Sequence, residues 1–359
     1  MSPIPKLPTP ITIPPTTSYT HPTPPLTPLT PHPLTATPAP PAHLLSTPYT
    51  AKLGSGAWST VYSLTPHLAV KTPSNPSALP ILHAEAEILS HLTAALTTSS
   101  PPCVARIHYY DPKTAHLYLD LLAAGTLESL ARAPNIKTKT QRGEPVVGFA
   151  QWLFLAERLV AAVAAVHAAG VVHGDIKWGN VLLRAYTPGA DGDGDGDEVW
   201  DAYCRENPGA VLFEPVLCDF SSAQRGGEVV GEGVSAVTTG FAAPEVLRGF
   251  LGGGKAPLEV GADVYSVGMT LLAAALGSEV YEGVRHVGIY AREGDPVGWV
   301  RGGERAVKVG RGGVVEGVLR GCFGRGAEGR VGLEEVAERV KVWKGRWWEE
   351  GRGGGRWGW

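Results

Sequence analysis

The stretch HGDIKWGN, residues 173–180, governs how the rest of the chain is read. It follows VAAVHAAGVV and precedes VLLRA, both strongly apolar. Between them stand a carboxylate, an ammonium and an amide: Asp175, Lys177 and Asn180. Polar side chains wedged between buried elements must be paired or carry chemistry. Asp175 can accept a proton from a hydroxyl, or orient it. Lys177 can neutralise charge on a migrating phosphoryl group, and Asn180 can hold a cation through its amide oxygen.

Other segments supply the remaining parts of such a site. VLCDFSSAQ places Asp219 directly after an apolar strand, where a hard-cation ligand belongs. Mg²⁺ prefers one or two carboxylates plus phosphate oxygens. LAVK ends an apolar strand on Lys71. Such a lysine is either a snorkelling surface residue or a point charge for α- and β-phosphate oxygens. The second role needs a carboxylate to hold the ammonium. Glu85 shares a helical stripe with Ile81, Ile88, Leu89 and Leu92, so it is expected to point inward, while Glu87 is expected on the solvated face. LGSGAWSTVY puts Gly54 and Gly56 in a turn between strands, where backbone N–H groups can approach phosphate without a Cβ in the way. G-x-G also occurs in ordinary hairpins. Ser59 takes the place of the third glycine of G-x-G-x-x-G, and a strand follows rather than the helix of the dinucleotide fingerprint.

Taken in order, LGSGAWSTVY, LAVK, HAEAEIL, HGDIKWGN, CDFSSA and AAPE resemble the signature of the eukaryotic protein kinases, Ser/Thr type, over about residues 50–345. ADVYSVG, with Asp263, resembles the start of the family's buried anchoring helix, and Arg330 matches the arginine that pairs with the A-P-E glutamate, here Glu245. The resemblance implies an α+β, two-lobed fold: a small β-rich lobe with one helix and a larger helical lobe. It implies ATP and Mg²⁺ as cofactors and a protein hydroxyl as acceptor. Asp175 would be the catalytic base and Lys177 would steady the γ-phosphate. Asn180 and Asp219 would hold the metal. Lys71 would contact the α- and β-phosphates and pair with Glu85. Leu53, Gly54 and Gly56 would cover the nucleotide. Val61 and Ala69 would lie above the adenine and Leu182 below it. Leu119 would be the gatekeeper, with Asp120 to Leu122 the hinge whose backbone binds adenine. Thr238 would touch the catalytic aspartate and lysine.

Several positions depart from the pattern. Gly174 replaces the arginine of H-R-D, which implies an activity not switched on by an activation-loop phosphate and a neutral Ser235→Ala substitution. Ser221 replaces the glycine of D-F-G. A side chain at positive φ there would cost about 1 kcal/mol and restrict flipping of Asp219. Small-molecule kinases also carry an H-G-D loop but generally lack A-P-E and the D-x-x-S-x-G helix, both present here. A scaffold that binds ATP without turnover is the other alternative; the intact set Lys71, Glu85, Asp175, Asn180 and Asp219 argues against it.

The 359 residues, 43% of them hydrophobic, suffice for a sizeable core. A formal charge of −3 gives no electrostatic reason to expect nucleic acid or an anionic membrane as partner. Cys103, Cys204, Cys218 and Cys322 are scattered without C-x-x-C spacing, which fits a reducing, intracellular setting, cytoplasm or nucleus. There is no uncharged apolar run long enough to span a bilayer and no leader pattern. The chain is expected to be a monomer.

The expected organisation is a disordered Pro/Thr tail over 1–48, the small lobe over 49–122, the large lobe over 123–345 and a flexible end over 346–359. Thr-Pro recurs in the tail, which reads either as a docking or phosphorylation segment or as a solvated one. An Asp/Gly-rich insertion lies near 186–210. From Asp191 it meets the early requirements of an EF-hand loop, but Ala202 stands where the closing glutamate belongs, so a solvated acidic protrusion is expected.

Overall fold

Five strands with alternating side chains build the small lobe. They are β1 (Ala51–Ser55), β2 (Ser59–Thr65), β3 (Leu68–Pro73), β4 (Ile107–Asp111) and β5 (His116–Asp120). In the computed structural model they pair antiparallel in the order β1-β2-β3-β5-β4. The structure describes residues 37–96, 102–134, 143–189, 198–225, 237–251 and 258–352. Val61 lies opposite Lys71, and Ala69 opposite Leu119. Side chains alternate along a strand, so this register puts Val61, Ala69, Lys71 and Leu119 on one sheet face. Helix α2 (Leu79–Ala95) packs against β4 and β5 through Leu82, Ile88, Leu89 and Leu92.

The other sheet face carries Tyr62, Leu64, Val70 and Tyr118, and it is covered from the N-terminal side. Here the expectation of disorder over 1–48 meets structure in residues 37–48. Helix α1 (Ala42–Ser46) inserts Leu44 against Leu64, Val70 and Tyr118, and Tyr49 stacks on Tyr62 at 4.6 Å. An uncovered apolar sheet face would otherwise meet water, and this short helix removes part of it. The Pro/Thr residues before 37 lie outside the described residues.

The large lobe is built around α4 (Phe149–Ala168) and α7 (Val260–Leu276). Helix α4 is long and apolar enough to cross a membrane by length and composition, yet it is the core helix of this lobe. It packs against α7, α11 (Leu333–Arg352) and the hairpin of β7 (Val181–Ala185) and β8 (Phe213–Leu217). The Trp152 indole N–H donates to the Leu271 carbonyl at 2.8 Å, so the two central helices share a polar link as well as apolar area. Helix α7 ends at Gly277, whose φ of 68° is the left-handed conformation a helix C-terminus favours. Short elements complete the lobe: α3 (Leu127–Ala131), β6 (Val171–Val172), α5 (Glu198–Glu206), β9 (Gln224–Arg225), α6 (Pro244–Leu251), α8 (Val287–Ala291), α9 (Pro296–Arg301) and α10 (Val314–Leu319).

One aromatic cluster bears on both the insertion and the C-terminal end. Residues 190–197 of the insertion lie outside the described residues, but α5 at its far end docks rather than protrudes. Trp200 is fully buried, edge-on to Phe154 at 5.3 Å and 5.7 Å from the Trp347 ring. Its indole N–H donates to Glu157 on α4 at 2.6 Å, and Lys344 pairs with the same carboxylate at 2.6 Å. The segment 346–352, expected to be flexible, is helical because α11 must present Trp343 and Trp347 along this side of the lobe. A tryptophan buries roughly 150–250 Å², enough to fix both segments.

Candidate active site

The inward face of α2 carries Glu85, which lies against the end of β3. Lys71 Nζ is 2.7 Å from the Glu85 carboxylate and 2.7 Å from Asp219 Oδ1. Burial opposes the Lys71 charge, but Asp219 and Glu85 together raise its pKa above the ordinary lysine value. For Asp219, burial alone would push the carboxyl up. The Lys71 ammonium and the Ser221 hydroxyl outweigh it and hold the group well below the usual carboxylate range. The Phe220 backbone N–H also donates to Glu85 Oε1 at 3.1 Å, so Glu85 binds the lysine and the segment that bears Asp219. The three residues expected to act together, far apart in the chain, meet at one point.

Ser221 corrects the expected strain. Its backbone is not at positive φ; the left-handed residue is Asp219, at φ 62°. Aspartate tolerates this conformation better than most side chains do. The Ser221 hydroxyl donates to Asp219 Oδ1 at 2.8 Å. This partner was missed in the sequence because the motif identifies the position only as a lost glycine.

The loop from His173 to Asn180 is a closed network. Lys177 Nζ donates to Asp175 Oδ2 at 2.5 Å and to Thr238 Oγ1 at 2.7 Å. The Asn180 amide donates to the Asp175 carbonyl at 2.9 Å and to Asp175 Oδ2 at 3.2 Å. His173 Nδ1 accepts from the Asp175 N–H at 3.3 Å, so Nε2 carries the proton that goes to the Cys218 carbonyl at 3.1 Å. The Cys218 N–H donates to the Asn180 carbonyl at 3.0 Å, which brings Asn180 beside the Asp219 segment. From below, Asp263 accepts the backbone N–H groups of His173 at 2.8 Å and Gly174 at 2.9 Å. Burial would raise the Asp263 pKa, but the His167 imidazole at 2.8 Å, His173 and the Gly174 N–H keep it below the usual range.

Gly174 is demanded by geometry. Its φ is 78°, and a Cβ there would stand 2.6 Å from Leu258 Cδ2 and 2.7 Å from the Ser222 carbonyl oxygen. Further out, Arg330 forms a two-pronged pair with Glu245 at 2.7 and 2.6 Å, as the sequence reading expects.

Of the residues expected around the adenine, Val61, Ala69 and Leu119 share the sheet face of Lys71. Ala69 is buried, and Val61, Leu119, Leu122 and Leu182 are half-buried. Leu182 bridges to Thr126, just beyond the 120–122 segment. The Asp120 side chain points away, accepting from the Arg106 N–H at 3.1 Å and pairing with His108 at 2.6 Å, so only its backbone is available as a hinge. Leu53, Gly54 and Gly56 are exposed at the β1–β2 turn.

A family model described as "Protein kinase domain" matches residues 48–300. The chain belongs to the protein kinase domain family. It is 32% identical over 149 residues to the "Serine/threonine-protein kinase PknK" of Mycobacterium tuberculosis, a match covering 41% of this chain and 10% of that protein. A protein of the same name from Mycobacterium bovis is 31% identical over 149 residues, again 41% of this chain and 10% of the relative. The chain thus spans about a tenth of the length of the curated relatives it matches.

Proposed function

We propose that the chain is a protein serine/threonine kinase that uses ATP with Mg²⁺. The observation that carries this reading is the convergence of Lys71, Glu85 and Asp219 within 2.7 Å contacts, next to the Asp175–Lys177–Asn180 network. Both Lys177 and Asn180 engage Asp175 Oδ2, which leaves Oδ1 to accept from a substrate hydroxyl. Held in that position, Asp175 orients the hydroxyl and takes its proton as the oxygen attacks the γ-phosphorus. Lys177, fixed between Asp175 and Thr238, stands ready to balance charge on the transferred group. Lys71 steadies the non-reacting phosphates, and its two carboxylate partners keep it charged and immobile.

The residues suit the cofactors. A Cβ on Gly54 or Gly56 would meet no protein atom within 4 Å, so packing within the chain does not explain these glycines; close approach of a phosphate does. Asn180 directs its amide N–H groups to Asp175 and keeps its oxygen for a cation, and Asp219 is an ionised carboxylate beside it. One carboxylate and one amide oxygen suit Mg²⁺, which takes its other ligands from phosphate and water. When bound, the ion supplies charge neutralisation on the phosphates.

Ser/Thr acceptors are favoured by Lys177, by the "Serine/threonine-protein kinase" relatives, and by the Glu245–Arg330 pair and the Asp263 anchor, which set the chain apart from small-molecule kinases. The four free cysteines suit a reducing intracellular setting. Wild-type and Asp219→Ala proteins should be compared for thermal stabilisation by Mg-ATP and then for radiolabel transfer to a Ser/Thr peptide array. Stabilisation and transfer by wild type alone support the proposal. Binding without transfer identifies a scaffold, and a folded wild type indifferent to nucleotide ends the reading.

A further inference from the structure

The described chain begins on a contact whose chemistry is directional. Thr37 Oγ1 lies 2.7 Å from Ser90 Oγ, on α2. Ser90 has one hydroxyl proton, and it is donated to the Ala86 carbonyl at 2.7 Å. With that proton on Ala86, Thr37 is the donor and Ser90 the acceptor. Thr37 precedes Pro38 in the run TPAP, which leads into α1. From there the chain is pinned by Leu44 on the outer face of the sheet and by Tyr49 on Tyr62. Residues 37–50 thus form a strap tied at one end to the helix that carries Glu85 and at the other to β2, where the Thr50 N–H and hydroxyl both reach the Ser63 carbonyl.

We propose that Thr37 is a regulatory modification site, phosphorylated by a proline-directed protein kinase, and that the phosphate releases the strap from α2. In the step, the bond from the γ-phosphorus of ATP to its bridging oxygen breaks. A bond to Thr37 Oγ1 forms, ADP leaves, and the hydroxyl proton passes to the modifying enzyme's base. The product has no hydroxyl proton, carries about −1.5 to −2 charge at neutral pH, and only accepts hydrogen bonds. Ser90 has no second proton to offer. The tie is therefore exchanged for an acceptor facing an acceptor. Ser90 sits one to two helical turns beyond Glu85, so release loosens the element that holds Lys71. Thr47, which also precedes a proline, lacks this effect, because its hydroxyl donates to the His43 carbonyl within the strap at 2.8 Å.

The test uses the full chain and its Ser90→Ala variant, each incubated with ATP and a proline-directed kinase. Sites are mapped by mass spectrometry, followed by amide hydrogen exchange and the KM for ATP. The expected result is phosphate on Thr37, faster exchange across residues 37–46 and 79–95, and a KM raised about fivefold, the scale of one lost hydrogen bond. Ser90→Ala alone should reproduce the faster exchange, and phosphorylating it should add nothing. Refusal of Thr37 while other Thr-Pro sites react overturns the proposal. So does unchanged or slowed exchange in α2, or an undiminished response in Ser90→Ala. Only the KM arm depends on the activity proposed above. Faster exchange in a chain with no turnover would leave the site standing and remove the kinase reading instead.

Discussion

Replacing Lys71 by methionine isolates the buried charge on which the site is built. Methionine keeps most of the aliphatic stem and removes the ammonium, so the packing loss is small. The Lys71 and Glu85 side chains are 4% and 0% exposed, whereas that of Asp219 is 37% exposed. Water can therefore reach Asp219 once the lysine has gone, and its share of the cost is screened. Glu85 has no such recourse. Breaking a buried pair by removing one partner costs about 3–5 kcal/mol, and most of that should fall on Glu85. A second substitution, Glu85→Gln, removes the stranded charge while retaining an oxygen for the Phe220 N–H. Lys71→Met/Glu85→Gln should regain about 2 kcal/mol over Lys71→Met, with ATP turnover lost in both. The pH dependence has a definite sign. Burial already raises the Glu85 pKa in the intact protein, and loss of the lysine raises it further. A carboxyl with a raised folded-state pKa binds its proton more tightly when folded. The folded single variant is thus best preserved near the ordinary glutamate pKa of about 4.3 and loses stability as pH rises through the folded value. Urea unfolding followed by tryptophan fluorescence between pH 5 and 8 measures this. A penalty that is flat across that range, or a double variant no more stable than the single one, would refute a stranded Glu85 charge as the cause.

Gly174→Arg should not restore a phosphate-responsive enzyme; with φ at 78° and two contacts below 2.8 Å awaiting its Cβ, it should destabilise by about 2 kcal/mol or more, seen as a lower melting temperature. Trp200→Ala should cost about 3–5 kcal/mol and lower the melting temperature by several degrees, while turnover below the transition stays within about twofold, because α5 packs away from the catalytic loop. Ser221→Ala removes one hydrogen bond to Asp219 without changing a strained backbone, so kcat/KM should fall by only about threefold in steady-state assays.

What the sequence makes readable is conflict between a residue and its surroundings. Glu85 in an apolar helical stripe and Lys71 closing an apolar strand are costly unless they meet, and they meet. Asp175, Lys177 and Asn180 stand out between apolar segments for the same reason. What stayed hidden involves residues whose local context carries no conflict. Leu44 is one leucine among prolines and threonines, and only the sheet face beneath it makes it a core residue. Trp343 and Trp347 are spaced for one face of a helix, but their partner Trp200 is remote in sequence. At Ser221 the motif assigns flexibility to a position, whereas the chain places its left-handed residue at Asp219 instead.

The long connection between Asn180 and Asp219 shows why an insertion can be large without disturbing the site. Strands β7 and β8 pair from Val181 opposite Leu217 to Ala185 opposite Phe213. At the site end, the Cys218 N–H reaches back to the Asn180 carbonyl at 3.0 Å. Residues inserted beyond Ala185 enter at the far end of this hairpin, where the ladder has already fixed the register. Register in a two-stranded ladder is set by side-chain alternation and paired hydrogen bonds, so added loop length acts mainly through closure entropy, which grows slowly with length. Here part of that entropy is recovered, because Tyr186 bonds Asp201 at 2.6 Å and Trp200 locks onto α4 and α11. The Asn180 amide and the Asp219 carboxylate therefore keep their spacing through a short ladder, while the inserted chain is anchored on a different surface of the lobe.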